Sequence, residues 1–300
     1  MNRLRIAVLG GTGFVGHSLC ASLATAGHEV RVLTRRRERH RDFLVLPTAQ
    51  VIDTDVHSAA VLRREFEGMD AVVNLVGILH ETRRDSFERA HVELPARVVQ
   101  ACRAAGVARL LHMSALPASE AGPSRYLLTK GHGERLVLEA NGPDLHVTVF
   151  RPSVIFGPRD QFTNRFAGLL RQVPWVFPLA CAQSRIQPIY VNDVARAFSA
   201  VLDRSETFGQ RYDLCGPQPY TLLELVTYLR DTMGLRRTIV PLGPLVSRLQ
   251  AAILQFAPGK PFTPDNYRSL AVPSVCSGPF PACFGFQPTR LESIAPSYLR

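Results

Sequence analysis

Short apolar runs alternate with longer segments of helical periodicity along the first half of the chain. Runs such as Ile6–Leu9 and Ala71–Leu75 are typical of strands buried on both faces of a parallel sheet. Further strands are predicted at 29–33, 51–52, 110–113 and 147–150, and helices at 14–26, 59–67, 86–105 and 125–140. Parallel neighbours need crossover segments of this kind. The order therefore predicts an α/β fold with a doubly wound parallel sheet.

The pattern becomes less regular after Arg151, where Pro and Gly are frequent. Short strands are predicted at 186–191, 211–214 and 238–241, and helices at 162–170, 194–202, 222–232, 245–256 and 289–295. We expect a smaller C-terminal α/β substrate region that lies over the open ends of the strands. The predicted division is 1–157, to which 186–203 returns, and a smaller region of 158–185 with 204–300.

Composition and charge narrow the classes of protein that fit. The chain has 300 residues, of which 46% are hydrophobic and 20% charged, and this excludes a disordered chain. No apolar run is long enough to predict a membrane-spanning helix. The net charge is +10, which suits nucleic acid, an anionic membrane surface or a phosphorylated ligand. Because no nucleic-acid-binding pattern accompanies the charge, no nucleic-acid partner is expected.

Six cysteines are present and none of them forms a CxxC pair. We expect reduced thiols, mostly buried, in a cytosolic protein, with neither disulfides nor a metal site. The first residues run directly into the first strand, so no cleaved signal peptide is expected. The predicted location is cytoplasmic, with peripheral attachment at the inner face of the membrane as an alternative.

A glycine-rich loop joins the first strand to the first helix. It consists of Gly10, Gly11, Thr12, Gly13, Phe14, Val15 and Gly16. Glycines at this spacing allow a tight turn, close approach of a pyrophosphate, and close packing of the helix on the sheet. The free N–H groups at the helix start attract phosphate. The loop therefore predicts a Rossmann-type dinucleotide site.

The end of the second strand indicates which dinucleotide is preferred. NAD-binding folds usually carry an acidic residue there for the ribose 2′-hydroxyl, whereas this strand ends in Thr34-Arg35-Arg36. A guanidinium suits a phosphate because its planar fork binds two oxygens. We predict NADP(H) in preference to NAD(H), with Arg35 and Arg36 on the 2′-phosphate, and we interpret Arg39 and Arg41 as solvated.

Tyr126 and Lys130 are four residues apart and share one face of a predicted helix. A neighbouring ammonium favours the phenolate, so Lys130 is expected to lower the pKa of Tyr126. A phenol tuned in this way can exchange a proton with a hydroxyl or carbonyl group. The pair predicts acid/base chemistry beside the dinucleotide.

Together these motifs resemble the short-chain dehydrogenase/reductase superfamily, in its extended, epimerase-like branch. The strings at 73–77, 126–130, 151–162 and 187–194 resemble the atypical group that includes the 39-kDa accessory subunit of respiratory complex I and its bacterial relatives. The similarity runs over nearly the whole chain, including 261–266. It implies an NAD(P)-dependent oxidoreductase or epimerase.

The resemblance also implies roles for individual positions. Asp55 and Val56 would lie near the adenine, and Ser114 and Tyr126 would be catalytic, with Lys130 holding the nicotinamide ribose. Two further sets of residues would pass the cofactor and line the nicotinamide end, namely Leu75, Val76 and Gly77, and Pro152, Ser153 and Val154. Ala115 departs from the pattern, because active members usually carry Ser or Thr beside the tyrosine.

Two functions therefore stay open. The first is an active enzyme, and the second is a nucleotide-binding assembly or quinone-pathway factor that resembles the complex I subunit. The apolar segments 175–179 and 242–256 are interpreted as core or substrate lid. The alternatives are a surface for a lipid-like substrate, a membrane or a respiratory-complex partner. For a sugar-nucleotide substrate, Arg159, Arg165 and Arg185 are the candidate diphosphate ligands.

Overall fold

The computed structural model describes residues 3–82, 85–257 and 261–299. The described strands are β1 (Arg5–Leu9), β2 (Glu29–Thr34), β3 (Ala49–Asp53), β4 (Ala71–Asn74), β5 (Arg109–Met113), β6 (His146–Pro152), β7 (Ile155–Phe156), β8 (Val176–Leu179), β9 (Arg185–Ile186), β10 (Ile189–Tyr190), β11 (Gln210–Leu214), β12 (Tyr220–Thr221) and β13 (Thr238–Pro241). The described helices are α1 (Phe14–Thr25), α2 (Ala59–Phe66), α3 (Leu94–Ala105), α4 (Arg125–Glu139), α5 (Thr163–Gln172), α6 (Val191–Ala200), α7 (Leu222–Thr232), α8 (Pro244–Leu254), α9 (Pro264–Leu270), α10 (Leu291–Ile294) and α11 (Pro296–Leu299). One turn of π-helix, Arg89–Glu93, leads into α3.

A seven-stranded parallel sheet forms the centre, in the order β11-β6-β5-β4-β1-β2-β3. Alternate residues of each strand enter two separate cores, since successive side chains point to opposite faces. Ile6 and Val8 pack with α1 and α6, whereas Ala7 and Leu9 pack with α2 and α3. Burial on both faces explains the continuous apolar runs. The predicted doubly wound α/β architecture is confirmed.

The C-terminal half contributes to this sheet as well as to a separate core. Strand 210–214, which the sequence assigns to the smaller region, is the seventh strand and pairs in parallel with β6. Helix α6 packs on α1. Helices α5 and α7 share a third core with the terminal helices, around buried side chains such as Leu170 and Leu225. The predicted strand over 186–191 is divided into two short strands, since β9 ends at Ile186 and β10 begins at Ile189, and Val191 already belongs to α6. The division into two regions stays a prediction.

The expectation of six reduced cysteines is wrong for two of them. Cys215 and Cys276 form a disulfide although they are separated by 61 positions in sequence. The fold places their Cα atoms 6.0 Å apart, within the range that a disulfide spans. Gln187 ties the two flanking segments together, because its side-chain amide donates to Gly216 O and its oxygen accepts from the Cys276 N–H. Sequence spacing alone cannot reveal such a contact between distant segments.

Within the described ranges, no helix combines the length and the apolarity needed to cross a bilayer.

Candidate active site at the carboxyl ends of the strands

The glycine loop lies where the strand order of the sheet reverses. Gly10 follows β1 in a left-handed conformation, and a Cβ there would lie 3.1 Å from the backbone of Leu75, which follows β4. A Cβ on Gly16 would lie 2.2 Å from Gly10 O, so only glycine lets α1 begin this close to the loop. The start of α1 carries no side-chain cap and no acidic residue in its first turn. This arrangement fits a phosphate at the free N–H groups of the helix.

The predicted adenosine-side residues follow the next two strands. Arg35 and Arg36 come directly after β2 and are exposed. The Arg35 guanidinium lies 3.3 Å from the Asp85 carboxylate. Asp55 follows β3 and accepts the His57 N–H at 3.0 Å, while the neighbouring Val56 is buried. The sheet brings all four predicted residues to the same edge as the glycine loop.

Helix α4 carries Tyr126 and Lys130 and begins at a doubly capped end. Ser124 Oγ accepts the Leu127 N–H at 3.1 Å, which satisfies one free donor of the first turn. The Asp265 carboxylate, from α9, accepts the N–H groups of Arg125 and Tyr126 at 2.7 and 3.3 Å. A carboxylate at this end also complements the helix dipole. The C-terminal region therefore positions the helix of the acid/base pair.

The Lys130 ammonium is buried beside the loop that follows β4. Its Nζ donates to Met113 O at 3.1 Å, and a Cβ on Gly77 would lie 3.1 Å from that same atom. Burial lowers the pKa of Lys130 to about 8, and the nearby Glu134 carboxylate opposes part of this shift. The ammonium is thus held between the ends of β4 and β5, beside the predicted cofactor loop.

The Tyr126 ring packs edge-on against two aromatic rings. Its centroid lies 6.0 Å from that of Phe87 and 5.5 Å from that of His91. Burial raises the pKa of Tyr126 to about 12. The expectation that Lys130 lowers this pKa is wrong for this structure, because loss of hydration around the phenol dominates. The phenol therefore stays protonated at neutral pH.

His91 joins the β4 loop to helix α4. Its Nε2 accepts the Ile78 N–H at 3.1 Å, and its Nδ1 lies 3.0 Å from Thr129 Oγ1. Thr129 uses its own proton toward Arg125 O, so the imidazole donates from Nδ1 and is neutral. Burial and then the Lys130 charge lower the pKa of His91 to about 2. The imidazole is a fixed connection between the cofactor loop and the helix of Tyr126.

The predicted catalytic Ser114 has a different environment from Tyr126. Its hydroxyl donates to Glu134 Oε2 at 2.6 Å. Arg211 lies 3.1 Å from Glu134 Oε1, and Arg151 lies 3.5 Å from Oε2. The only proton of Ser114 is therefore engaged in a network that joins α4 to β6 and β11. A catalytic role for Ser114 stays a prediction without support from this contact.

The remaining predicted residues lie at the end of β6 and beyond. Pro152 ends the strand, and Ser153 Oγ donates to Ser274 O at 2.7 Å. Val154 is half-buried and its carbonyl accepts the Ile189 N–H at 2.9 Å. This hydroxyl contact attaches the predicted nicotinamide end to the segment that carries Cys276.

Several residues of this site are missed by the sequence patterns. His91, Thr129 and Asp265 act through contacts between distant segments, which no local spacing reveals. Glu134 had a signal, because it follows Lys130 by one helical turn with the opposite charge. Among the described residues, no group of three or more His, Cys, Asp or Glu side chains is arranged to hold a metal.

The family to which the chain belongs follows from its sequence. Residues 6–215 match the model of the NAD dependent epimerase/dehydratase family, which covers the glycine loop, the Tyr126–Lys130 pair and all seven strands of the sheet. The chain belongs to this family.

The proteins similar to this chain include subunits of NADH dehydrogenase (ubiquinone) and reductases. This chain is 30% identical over 299 residues to NADH dehydrogenase (ubiquinone) 1 alpha subcomplex subunit 9 of Rattus norvegicus, covering 95% of this chain and 77% of that protein. It is 31% identical over 245 residues to ceramide reductase of Caulobacter vibrioides, covering 79% and 73%. The chain spans 62–77% of the length of its complex I relatives.

Solved structures of other proteins share the fold of this chain. A nucleoside-diphosphate-sugar epimerase from Staphylococcus aureus superposes with a TM-score of 0.74 at 19% identity, covering 97% of this chain and 99% of that one. At this identity the likeness concerns the fold alone. It extends to the C-terminal region as well as to the sheet.

The buried histidines make stability sensitive to acid. The pKa of His91 is about 2 and that of His112 about 3, both lowered chiefly by burial, whereas an unfolded histidine titrates near ~6.5. At a pH between the folded and the unfolded pKa values, each histidine binds a proton only in the unfolded chain. The free energy of unfolding is therefore at its full value above pH ~6.5. Below that pH, each of the two histidines lowers it by about 1.4 kcal/mol per pH unit.

Urea unfolding at several pH values between neutral and mildly acidic tests this expectation. His91→Gln should make the free energy of unfolding fall less steeply with decreasing pH, by the equivalent of about one bound proton. The reason is that the variant lacks one buried neutral imidazole. The matched control is His132→Gln, which lies on helix α4 and is partly exposed. A pH dependence that is identical in wild type and His91→Gln would contradict the buried neutral assignment.

Proposed function

We propose that this protein is an NADP(H)-dependent oxidoreductase that reduces a carbonyl group, with Tyr126 as the proton donor. The observation that carries the proposal is the meeting of Tyr126, Lys130, His91 and the β4 loop beside the glycine loop. Family membership supports a pyridine dinucleotide. The Tyr126 phenol is protonated at neutral pH, as the proton donor of a carbonyl reduction must be.

The residues present fit a pyridine dinucleotide. The start of α1 offers free N–H groups without a competing carboxylate, as a pyrophosphate requires. Gly10–Gly16 would hold the pyrophosphate, and Asp55 with Val56 would contact the adenine side. Leu75–Gly77 and Pro152–Val154 would line the nicotinamide side. The bound nicotinamide supplies or accepts the hydride.

The chain's own groups then handle the proton and the cofactor. The Tyr126 phenol, protonated at neutral pH, gives its proton to the oxygen of the substrate carbonyl. Lys130, one helical turn further along α4, would hold the nicotinamide ribose. His91 stays neutral and fixes the β4 loop against α4. In the reverse direction the same groups would run an oxidation.

The preference for NADP(H) is supported by the absence of a carboxylate from the end of β2 and by the exposed Arg36. Arg36→Ala should weaken NADPH binding by about ten- to a hundredfold, since a charged hydrogen bond to phosphate contributes roughly 1.5–3 kcal/mol. NADH binding should change little. Isothermal titration with both dinucleotides measures this.

Arg39→Ala serves as the matched control for Arg36, because Arg39 lies in the same exposed loop and is interpreted as solvated. Equal weakening of NADPH and NADH in Arg36→Ala would argue against a 2′-phosphate contact. Tighter wild-type binding of NADH than of NADPH would contradict the preference itself.

A second candidate function is a nucleotide-binding assembly or quinone-pathway factor without turnover. Two observations favour it. Ala115 stands where active relatives usually carry a hydroxyl, and the Ser114 hydroxyl donates its hydrogen bond to Glu134. Loss of one oxyanion donor typically lowers rates by about 10²–10³. Several relatives are named as subunits of NADH dehydrogenase (ubiquinone), which suggests a respiratory-complex partner for this role.

Turnover by Tyr126→Phe separates the two functions. If Tyr126 is the proton donor, kcat/KM for a carbonyl substrate should fall by about 10²-fold or more, with dinucleotide affinity nearly unchanged. Panels of ketones, quinones and nucleotide sugars with NADPH provide the assay, and Tyr228→Phe on α7 is the control. Undiminished turnover in Tyr126→Phe would reject the assigned chemistry. Tight dinucleotide binding without turnover of any substrate would support the assembly role.

The substrate class and the location belong to the same proposal. We infer a small or lipid-like carbonyl compound, supported by relatives named ceramide reductase and 2-alkyl-3-oxoalkanoate reductase. A cytoplasmic protein attached to the inner face of a membrane fits such a substrate.

A further inference from the structure

Helix α8 differs from an ordinary surface helix, because its small residues are buried and its large apolar residues are exposed. It buries Ser247 and Ala251, which are small, and exposes the larger Leu245, Leu249 and Ile253 to solvent at 60–79% of their surface. An amphipathic helix of a globular domain normally turns its large apolar residues inward. The exposed side of α8 is therefore not part of the protein's own core.

A further large apolar residue is exposed directly before β8, the strand to which α8 is attached. Ser247 Oγ accepts the Cys181 N–H at 3.4 Å, and the Leu242 N–H donates to Leu179 O, so α8 is attached to the end of β8. Trp175, directly before β8, is 78% exposed. We call the following six residues the apolar face: Trp175, Leu245, Val246, Leu249, Ile253 and Phe256.

The two segments that build the apolar face carry basic residues and no acidic ones. No Asp or Glu occurs in 161–192 or in 232–264, the two segments that build it. The same segments contain the exposed Arg171, Arg236 and Arg248. Large apolar side chains, with Trp and Phe among them, on segments that contain cations and no anions, are typical of a surface that lies in a membrane interface.

We propose that the apolar face docks on the surface of an anionic lipid bilayer, with α8 parallel to the membrane plane. A second copy of the chain is a less suitable occupant, because the two segments that build the face carry arginines and offer no carboxylate to pair with them. Exposed apolar surface of this kind marks an interaction site. In an anionic bilayer, the lipid chains would contact the apolar side chains and the headgroups would contact the arginines.

The docking face is connected to the candidate active site. Helix α9 contacts both α8 and α4, and its Asp265 accepts the N–H groups at the start of the Tyr126 helix. Docking would therefore bring the site close to the lipid surface. The inference stands on the apolar face itself and does not require that the protein is an enzyme.

The chain supplies its own probe, since Trp175 is its only tryptophan. Full-length protein is mixed with phosphatidylglycerol-containing vesicles or with pure phosphatidylcholine vesicles, and both co-sedimentation and Trp emission are recorded. We expect binding with a blue shift on the anionic vesicles, and weak binding on the neutral ones. High salt should reduce the binding by screening the arginines.

Two double variants separate the apolar and the electrostatic contributions. Leu249→Ser with Ile253→Ser should lower partitioning by at least about tenfold, because two side chains no longer enter the interface. Arg236→Gln with Arg248→Gln should weaken binding to anionic vesicles alone. The control is Leu44→Ser with Val45→Ser, which removes two exposed apolar side chains outside the face. Thermal unfolding checks that every variant is folded.

Three results would overturn the proposal. The first is the absence of any blue shift or sedimentation with anionic vesicles. The second is equal binding by the Leu249/Ile253 variant, or an equal loss in the Leu44/Val45 control. The third is a dimer in lipid-free solution that the Leu249/Ile253 changes dissociate, which would assign the apolar face to a second copy of the chain.

Discussion

Lys130 carries its ammonium into a place from which water is almost excluded, and this burial is unfavourable for a charged group. The structure compensates with Met113 O as acceptor and the Glu134 carboxylate one helical turn away. That position requires α4 to approach the ends of β4 and β5 closely. Gly77 has no side chain to obstruct the ammonium, and the adjacent His91 remains neutral. The geometry of the candidate site follows from this one buried charge.

The C-terminal region supplies contacts that position the candidate site. Asp265 caps the helix that carries Tyr126, and Ser274 fixes the end of β6 through Ser153. Both contacts cross more than a hundred positions of sequence. The same region also exposes the apolar face. Substrate chemistry and membrane docking would therefore be coupled through α9, which contacts the helices of both.

The sheet and the glycine loop were predictable because local patterns dictate them. Buried parallel strands read as apolar runs, and Gly10–Gly16 follows the first of these. Strand β8 was missed because Pro178 interrupts its pattern, although proline is tolerated in such a short, marginal pairing. The disulfide, the His91 connection and the cap by Asp265 depend on tertiary contacts. The raised pKa of Tyr126 likewise depends on burial, which residue spacing does not report.

The proposed chemistry depends on a pyridine dinucleotide at the carboxyl ends of the strands, around Gly10–Gly16 and Lys130. The decisive measurement is calorimetric titration of the folded wild-type chain with NADPH and, separately, with NADH. We expect saturable binding of NADPH at one equivalent per chain. If the folded protein binds neither dinucleotide, the proposed site is wrong.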